Sequence, residues 1–123
     1  MEKNAAPSKQ GVLALPKIHK PTLTAEEQEL MQNPIDRWGQ KWRRFMQTHY
    51  PEEISAMQEN QKWELIPRQI DKEAWEMWEL LRKQYAAKNP RPTTFLEIAE
   101  WEKKRTFIIE HEIMEQIVLQ IRG

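Results

Sequence analysis

From residue 24 onward, apolar side chains recur three and four positions apart, the spacing that lines one face of a helix. Thr24-Ala25-Glu26-Glu27 is a capping box, in which the Thr24 hydroxyl can accept from the third helical amide while Glu27 reaches back. It predicts a short helix to about Gln32, stopped by Asn33-Pro34 because proline disfavours helix in the residue before it. A second helix opens at Pro34 or Ile35 and runs to near Tyr50, with Ile35, Trp38, Trp42, Phe45 and Met46 as its stripe. Pro51, Glu52 and Glu53 suit the start of a third helix over about 52–64, which carries Ile54 and Met57. Pro67 either separates two helices or kinks one. From about Arg68 a strong stripe resumes with Ile70, Ala74, Met77, Trp78, Leu81 and Tyr85. The remaining positions, Asp71, Lys72, Glu73, Glu76, Glu79, Arg82 and Lys83, read as a solvated surface. After the stiff loop 88–93, Thr94-Phe95-Leu96-Glu97 is a second capping box and predicts a long helix to Ile121.

The last helix is apolar on more than one face in its second half, through Phe107, Ile108, Ile109, Ile113, Met114, Ile117, Val118, Leu119 and Ile121. Such a helix is either central in a bundle or shared with another chain, as in a homodimer. Trp101, Ile113, Ile117 and Ile121 are the candidate interface residues. Residues 1–23 differ from everything after them. They hold three of the eight prolines and the short apolar run Val12-Leu13-Ala14-Leu15, and their charge is +3, from Lys3, Lys9, Lys17 and Lys20 against Glu2. A lone strand has no partner to stabilise it, so this segment is expected to be an extended, partly ordered arm. The expected architecture is all-α: a small bundle of four or five helices over 24–123, preceded by the arm 1–23.

Composition narrows the function classes. The chain of 123 residues fits one domain plus a tail. Lysine plus arginine equals aspartate plus glutamate at 19 each, so any nucleic-acid contact must come from a local patch. Glycine is scarce at three, which favours helix, and the six tryptophans are mostly expected to fill a small core. With no cysteine there is no disulfide and no thiolate chemistry. No signal-peptide or spanning-length apolar run is seen, so the expected setting is the cytoplasm, with no membrane contact.

Catalytic and metal chemistry find little support. His19, His49 and His111 share no ligand spacing. His111 and Glu115 stand four apart, as an ion pair on a solvated helix would, and lack the second histidine of the zinc-protease pattern. Ser8 and Ser55 belong to no nucleophile motif, and no glycine-rich phosphate loop exists. The expectation is a non-enzyme without cofactor or metal. The one concentrated constellation is the basic helix. Arg37, Lys41 and Arg44 fall on one face at i, i+4 and i+7, and Arg43 flanks them. Arginine suits phosphate because its planar fork donates two parallel hydrogen bonds. Four phosphate contacts would give a log–log salt slope of about −3.6. The competing arrangement has these cations paired with the acidic surfaces of neighbouring helices, since segment 52–79 supplies eight carboxylates. Gly39, inside the same helix, marks close helix packing or close approach of a ligand.

The run from Pro34 to Pro51, with Gly39 followed by a basic-aromatic stretch and His49-Tyr50-Pro51, resembles TnpV, a family of small proteins encoded on transposons and integrative elements of Firmicutes. Ile70-Asp71 followed by Ala74 is similar to the Ile-Asp-x-x-Ala helix start of that family. Trp101 and Glu115-Gln116-Ile117-Val118-Leu119 resemble its C-terminal helix, and Gly11, Leu15-Pro16 and Ile18 its N-terminal opening. Where that family has a Ser-Gly-Lys-Leu turn, this chain has Asn60-Gln61-Lys62-Trp63. The resemblance implies an accessory role in transfer or excision of a mobile element. The expected function is thus a non-enzymatic accessory protein that contacts DNA, or a DNA-bound recombinase, through Arg37, Lys41, Arg43 and Arg44. The alternative is a protein-binding inhibitor or adaptor that acts on host machinery, such as an anti-CRISPR factor.

Overall fold

The computed structural model describes residues 22–122. Five helices follow one another: α1 (Ala25–Leu30), α2 (Arg37–His49), α3 (Ile54–Glu59), α4 (Lys62–Lys88) and α5 (Phe95–Ile113). A 3-10 turn at Pro51–Glu53 leads into α3, and a π turn at Met114–Val118 ends α5. No strand occurs among the described residues, so the chain is all-α, as its periodicity predicts. The arm expected at the N-terminus lies, as far as residue 21, outside the described residues.

Helix starts follow the caps. Both halves of the first capping box form, with Glu27 N donating to Thr24 Oγ1 at 3.1 Å and Thr24 N donating to Glu27 Oε1 at 2.9 Å. At Thr94 only the forward half forms, as Glu97 N donates to Thr94 Oγ1 at 3.3 Å. The axis of the fold is α4, about 40 Å long at 1.5 Å per residue. The other elements pack on it: α2 along its first half, and α5 folding back along its second. Trp38, Trp42 and Met46 of α2 meet Trp63, Ile66, Ile70 and Ala74 of α4 in one core with Met57, Ile109, Ile113, Ile117 and Val118. Three of the six tryptophans are fully in that core, and each buried indole contributes on the order of 2–3 kcal/mol. The chain end is pinned, with Trp42 Nε1 donating to Gln120 O at 3.0 Å and Arg122 paired with Glu73 at 2.8 Å.

Three boundaries differ from the sequence expectation. The predicted helix 52–64 breaks at Gln61, whose φ of 71° is left-handed. A side chain there costs about 1–2 kcal/mol, and this is where the resemblance places a glycine. Helix α4 then starts at Lys62 and runs through Pro67 instead of starting near Arg68. Pro67 has no N–H for the carbonyl of Trp63, four residues back. That carbonyl is satisfied from outside the helix by Arg43, whose Nη2 and Nε donate to it at 2.6 and 3.2 Å. The helix therefore continues because another element replaces the lost donor. At the far end, the long helix predicted to Ile121 is α-helical only to Ile113.

Candidate functional site

The site predicted on α2 is built around its first turn. Asp36 is the N-cap, and its carboxylate accepts from Arg37 N at 2.7 Å and from Trp75 Nε1 at 3.0 Å. A second carboxylate, Asp71 of α4, accepts from Asp36 N and from Gly39 N, both at 2.7 Å. Asp71 is buried, contrary to its expected place on a solvated face. It lies between Ile70 and Ala74, at the edge of the apolar stripe, where α2 descends onto α4. Burial drives its carboxyl above the ordinary 3.8, opposed by the amides of Gly39, Asp36 and Trp38, which favour the charged form. Gly39 makes the approach possible. A Cβ built on it would stand 2.5 Å from Pro67 O, 2.8 Å from Ile35 Cγ2 and 2.9 Å from Asp71 Oδ2. Of the two roles open to Gly39, close helix packing is the one the structure displays.

The four cations of α2 do not act together. Arg37 lies 4.4, 5.3 and 5.8 Å from the ring centroids of Trp38, Trp75 and Trp78 and pairs with Glu110 of α5 at 3.1 Å. Arg43 points to the start of α4. Besides capping Trp63 O, it lies over the Trp63 ring at 4.9 Å and pairs with Glu64 at 3.0 Å. Partial burial acts to raise the Glu64 carboxyl, but Arg68 and Arg43 outweigh it and hold it below its usual range. These two arginines correct the expectation of four outward cations, because carboxylates and rings of neighbouring helices already engage them. Lys41 and Arg44 are exposed and have no ion pair among the described residues.

The role given to Arg43 is testable. Arg43→Ala leaves the Trp63 carbonyl without a donor and is expected to cost about 2 kcal/mol. In a Pro67→Ala background, residue 67 regains an N–H for that carbonyl, and the same substitution is expected to cost clearly less. Urea unfolding of the four proteins measures the coupling, and equal losses in both backgrounds contradict it.

The candidate interface on the last helix is also redistributed. Ile113 and Ile117 are buried in the core and cannot anchor a partner. Trp101 is half-buried, donates from Nε1 to Asn89 O at 2.8 Å and packs on Tyr85. Ile121 is exposed. The large apolar side chains that α5 turns to solvent are instead Phe95, Leu96, Phe107 and Ile108, the first three at 84, 75 and 71% exposure. The sequence pattern puts Phe107 and Ile108 in the broad apolar half and does not single out Phe95 and Leu96. The signal was there: Leu96 and Phe107 are eleven residues apart, about three helical turns, and share a face opposite Ile109 and Ile113. His111 and Glu115 form a surface pair at 3.3 Å, and among the described residues no three His, Asp or Glu side chains gather as metal ligands. Among those residues no helix is long and apolar enough to cross a membrane.

Fold and surface together define a small all-α domain hung on one proline-bearing helix. A family model described as transposon-encoded protein TnpV matches residues 9–121, nearly the whole chain. The chain belongs to that family of transposon-encoded proteins, as the Pro34–Pro51 motif implied. No curated relative and no solved structure matches it. The Ile70-Asp71-x-x-Ala74 motif of the resemblance lies inside α4, not at a helix start, and supplies the carboxylate that caps α2.

Proposed function

We propose that this protein is a non-enzymatic accessory factor of its transposon that works by docking onto another protein through the outward face of α5. The observation that carries this reading is the exposure of Phe95, Leu96 and Phe107 on a single helix. Leu96 and Phe107 project to solvent from the same side of that helix, about three turns apart, and exposed large apolar side chains mark contact surfaces. The polar groups that chemistry would need have structural employment: Asp71 caps α2, Arg43 caps a carbonyl and His111 pairs on the surface. The transposon setting suggests the element's recombinase as the partner, and a host defence protein is the competing target. Leu96→Asp and Phe107→Asp are expected to abolish binding to the purified recombinase while leaving the fold intact, because both positions are exposed. Titration by calorimetry measures it, and unchanged binding by both variants contradicts the reading.

Lys41 and Arg44 favour a second reading, direct contact with DNA. They are exposed, unpaired among the described residues and three apart on one helix. Two phosphate contacts in place of four give a log–log salt slope of about −1.8, and the rest of the chain beyond residue 23 carries a net charge of −3. A duplex-DNA mobility shift at about 50 mM salt that Lys41→Glu/Arg44→Glu abolishes would favour this reading.

A further inference from the structure

The outward face of α5 has an order that identifies what it can pair with. Leu96, Glu100, Lys103 and Phe107 lie at spacings of four, three and four, so they form one stripe along the helix. All four are exposed. Neither Glu100 nor Lys103 has an ion pair among the described residues, although carboxylates and cations are plentiful nearby. The stripe reads apolar, acid, base, apolar. Turned end for end, it reads apolar, base, acid, apolar at the same spacings. It is therefore complementary to itself in one orientation only.

From this we infer that α5 pairs with α5 of a second copy of the chain, antiparallel about a two-fold axis between residues 101 and 102. The inference rests on the reading of this face as a docking surface: a second copy covers it in the free protein, and the recombinase competes with that copy for the same side chains. In that arrangement Leu96 of one copy lies on Phe107 of the other, twice, and Glu100 meets Lys103, twice. The two ends of the stripe are about 16 Å apart and differ by only about 20° around the axis, so a straight partner helix follows it without bending. Phe95 and Ile108 are exposed but stand about 100° round the helix from the stripe, so the apolar contact rests on Leu96 and Phe107. A parallel pairing would set Glu100 against Glu100 and Lys103 against Lys103, which like-charge repulsion disfavours. The symmetry is that of an isologous interface, where the same patch serves both copies. One helix face per copy makes an interface at the low end of specific sizes, so the dimer is expected to be weak.

Sedimentation of the full chain from about 1 to about 200 μM reads the result. The wild type is expected to pass from monomer to dimer. Glu100→Lys and Lys103→Glu each place like charges in both pairs and are expected to raise the dissociation constant at least about tenfold. The double exchange Glu100→Lys/Lys103→Glu restores opposite charges and is expected to restore the dimer. All of these positions are on the surface, so folding is not at stake, and helical circular dichroism checks it. A dimer indifferent to both single exchanges overturns the pairing, as does a double exchange that fails to restore it. A chain that stays monomeric, yet loses its recombinase with Leu96→Asp, overturns self-pairing and leaves the docking surface standing. A chain that stays monomeric and is indifferent to Leu96→Asp in both assays overturns both.

Discussion

Asp71→Ala is expected to destabilise the protein by about 3–5 kcal/mol at neutral pH, the largest single-site loss foreseen here. The carboxylate is the acceptor for two amides at the start of α2, those of Asp36 and Gly39, each at 2.7 Å. Alanine leaves the Gly39 amide buried and the Asp36 amide part-buried against α4, and an unsatisfied buried group costs about 1–3 kcal/mol. The lost side chain adds a cavity. Protonation gives a second signature. Burial drives the Asp71 carboxyl above 3.8, so the folded chain holds this proton more tightly than the unfolded chain. The stabilisation linked to that proton is fully present below 3.8 and is lost as pH rises through the raised folded value. Relative to its protonated form the charge is unfavourable; relative to having no acceptor, it still stabilises. Asp71→Asn cannot ionise and removes the slope. The difference in unfolding free energy between wild type and Asp71→Asn should change across that interval and level off on either side. A difference flat throughout the acid range contradicts the assignment.

Gly39→Ala carries the second-largest expected effect, and its sign is diagnostic. In an exposed helix interior this change gains about 1 kcal/mol, because alanine loses less backbone entropy. Here the new Cβ would meet a backbone carbonyl, Pro67 O, at 2.5 Å, with Ile35 and Asp71 within 3 Å of it. Pro67 sits inside α4 and cannot yield as a flexible side chain would. Helix α2 must lift from α4, which loosens the Asp71 caps and the Trp38 and Trp42 packing together. The expected loss is about 3 kcal/mol. Thermal or urea unfolding measures it, and a variant more stable than wild type would show that α2 and α4 are not in close contact at this point.

Most of the fold is legible in the sequence, because it follows from local rules. The stripe of α2 is read correctly: Trp38, Trp42 and Met46 are buried where 3.6-residue periodicity puts them. The stops at Asn33-Pro34 and in the loop 88–93 hold for the same reason. What local rules do not carry is where one element's leftover groups meet another's. Pro67 reads as a breaker until Arg43, 24 residues earlier, is seen to replace its missing donor. Asp71 reads as a solvated acid until the first turn of α2 is seen to need an acceptor at that point. The same long-range contacts decide, for Arg37 and Arg43, between the two arrangements the sequence leaves open, a free basic patch and pairing with carboxylates of neighbouring helices. On α5, apolar composition alone could not separate the core residues Ile113 and Ile117 from the solvent-facing Leu96 and Phe107. Helical spacing puts Leu96 and Phe107 on a different side from Ile109 and Ile113, and the packing of α5 on α4 decides which side is the inner one.

On the proposed reading, the working surface of this transposon protein is the outer face of α5, while the basic helix α2 chiefly holds the fold together. Transposition frequency in cells that supply the protein as variants tests it most directly. Leu96→Asp/Phe107→Asp is expected to lower the frequency to that of cells without the protein, and Lys41→Glu/Arg44→Glu to leave it near wild type. The opposite pattern, with the charge variant inactive and the α5 variant unaffected, would contradict the account.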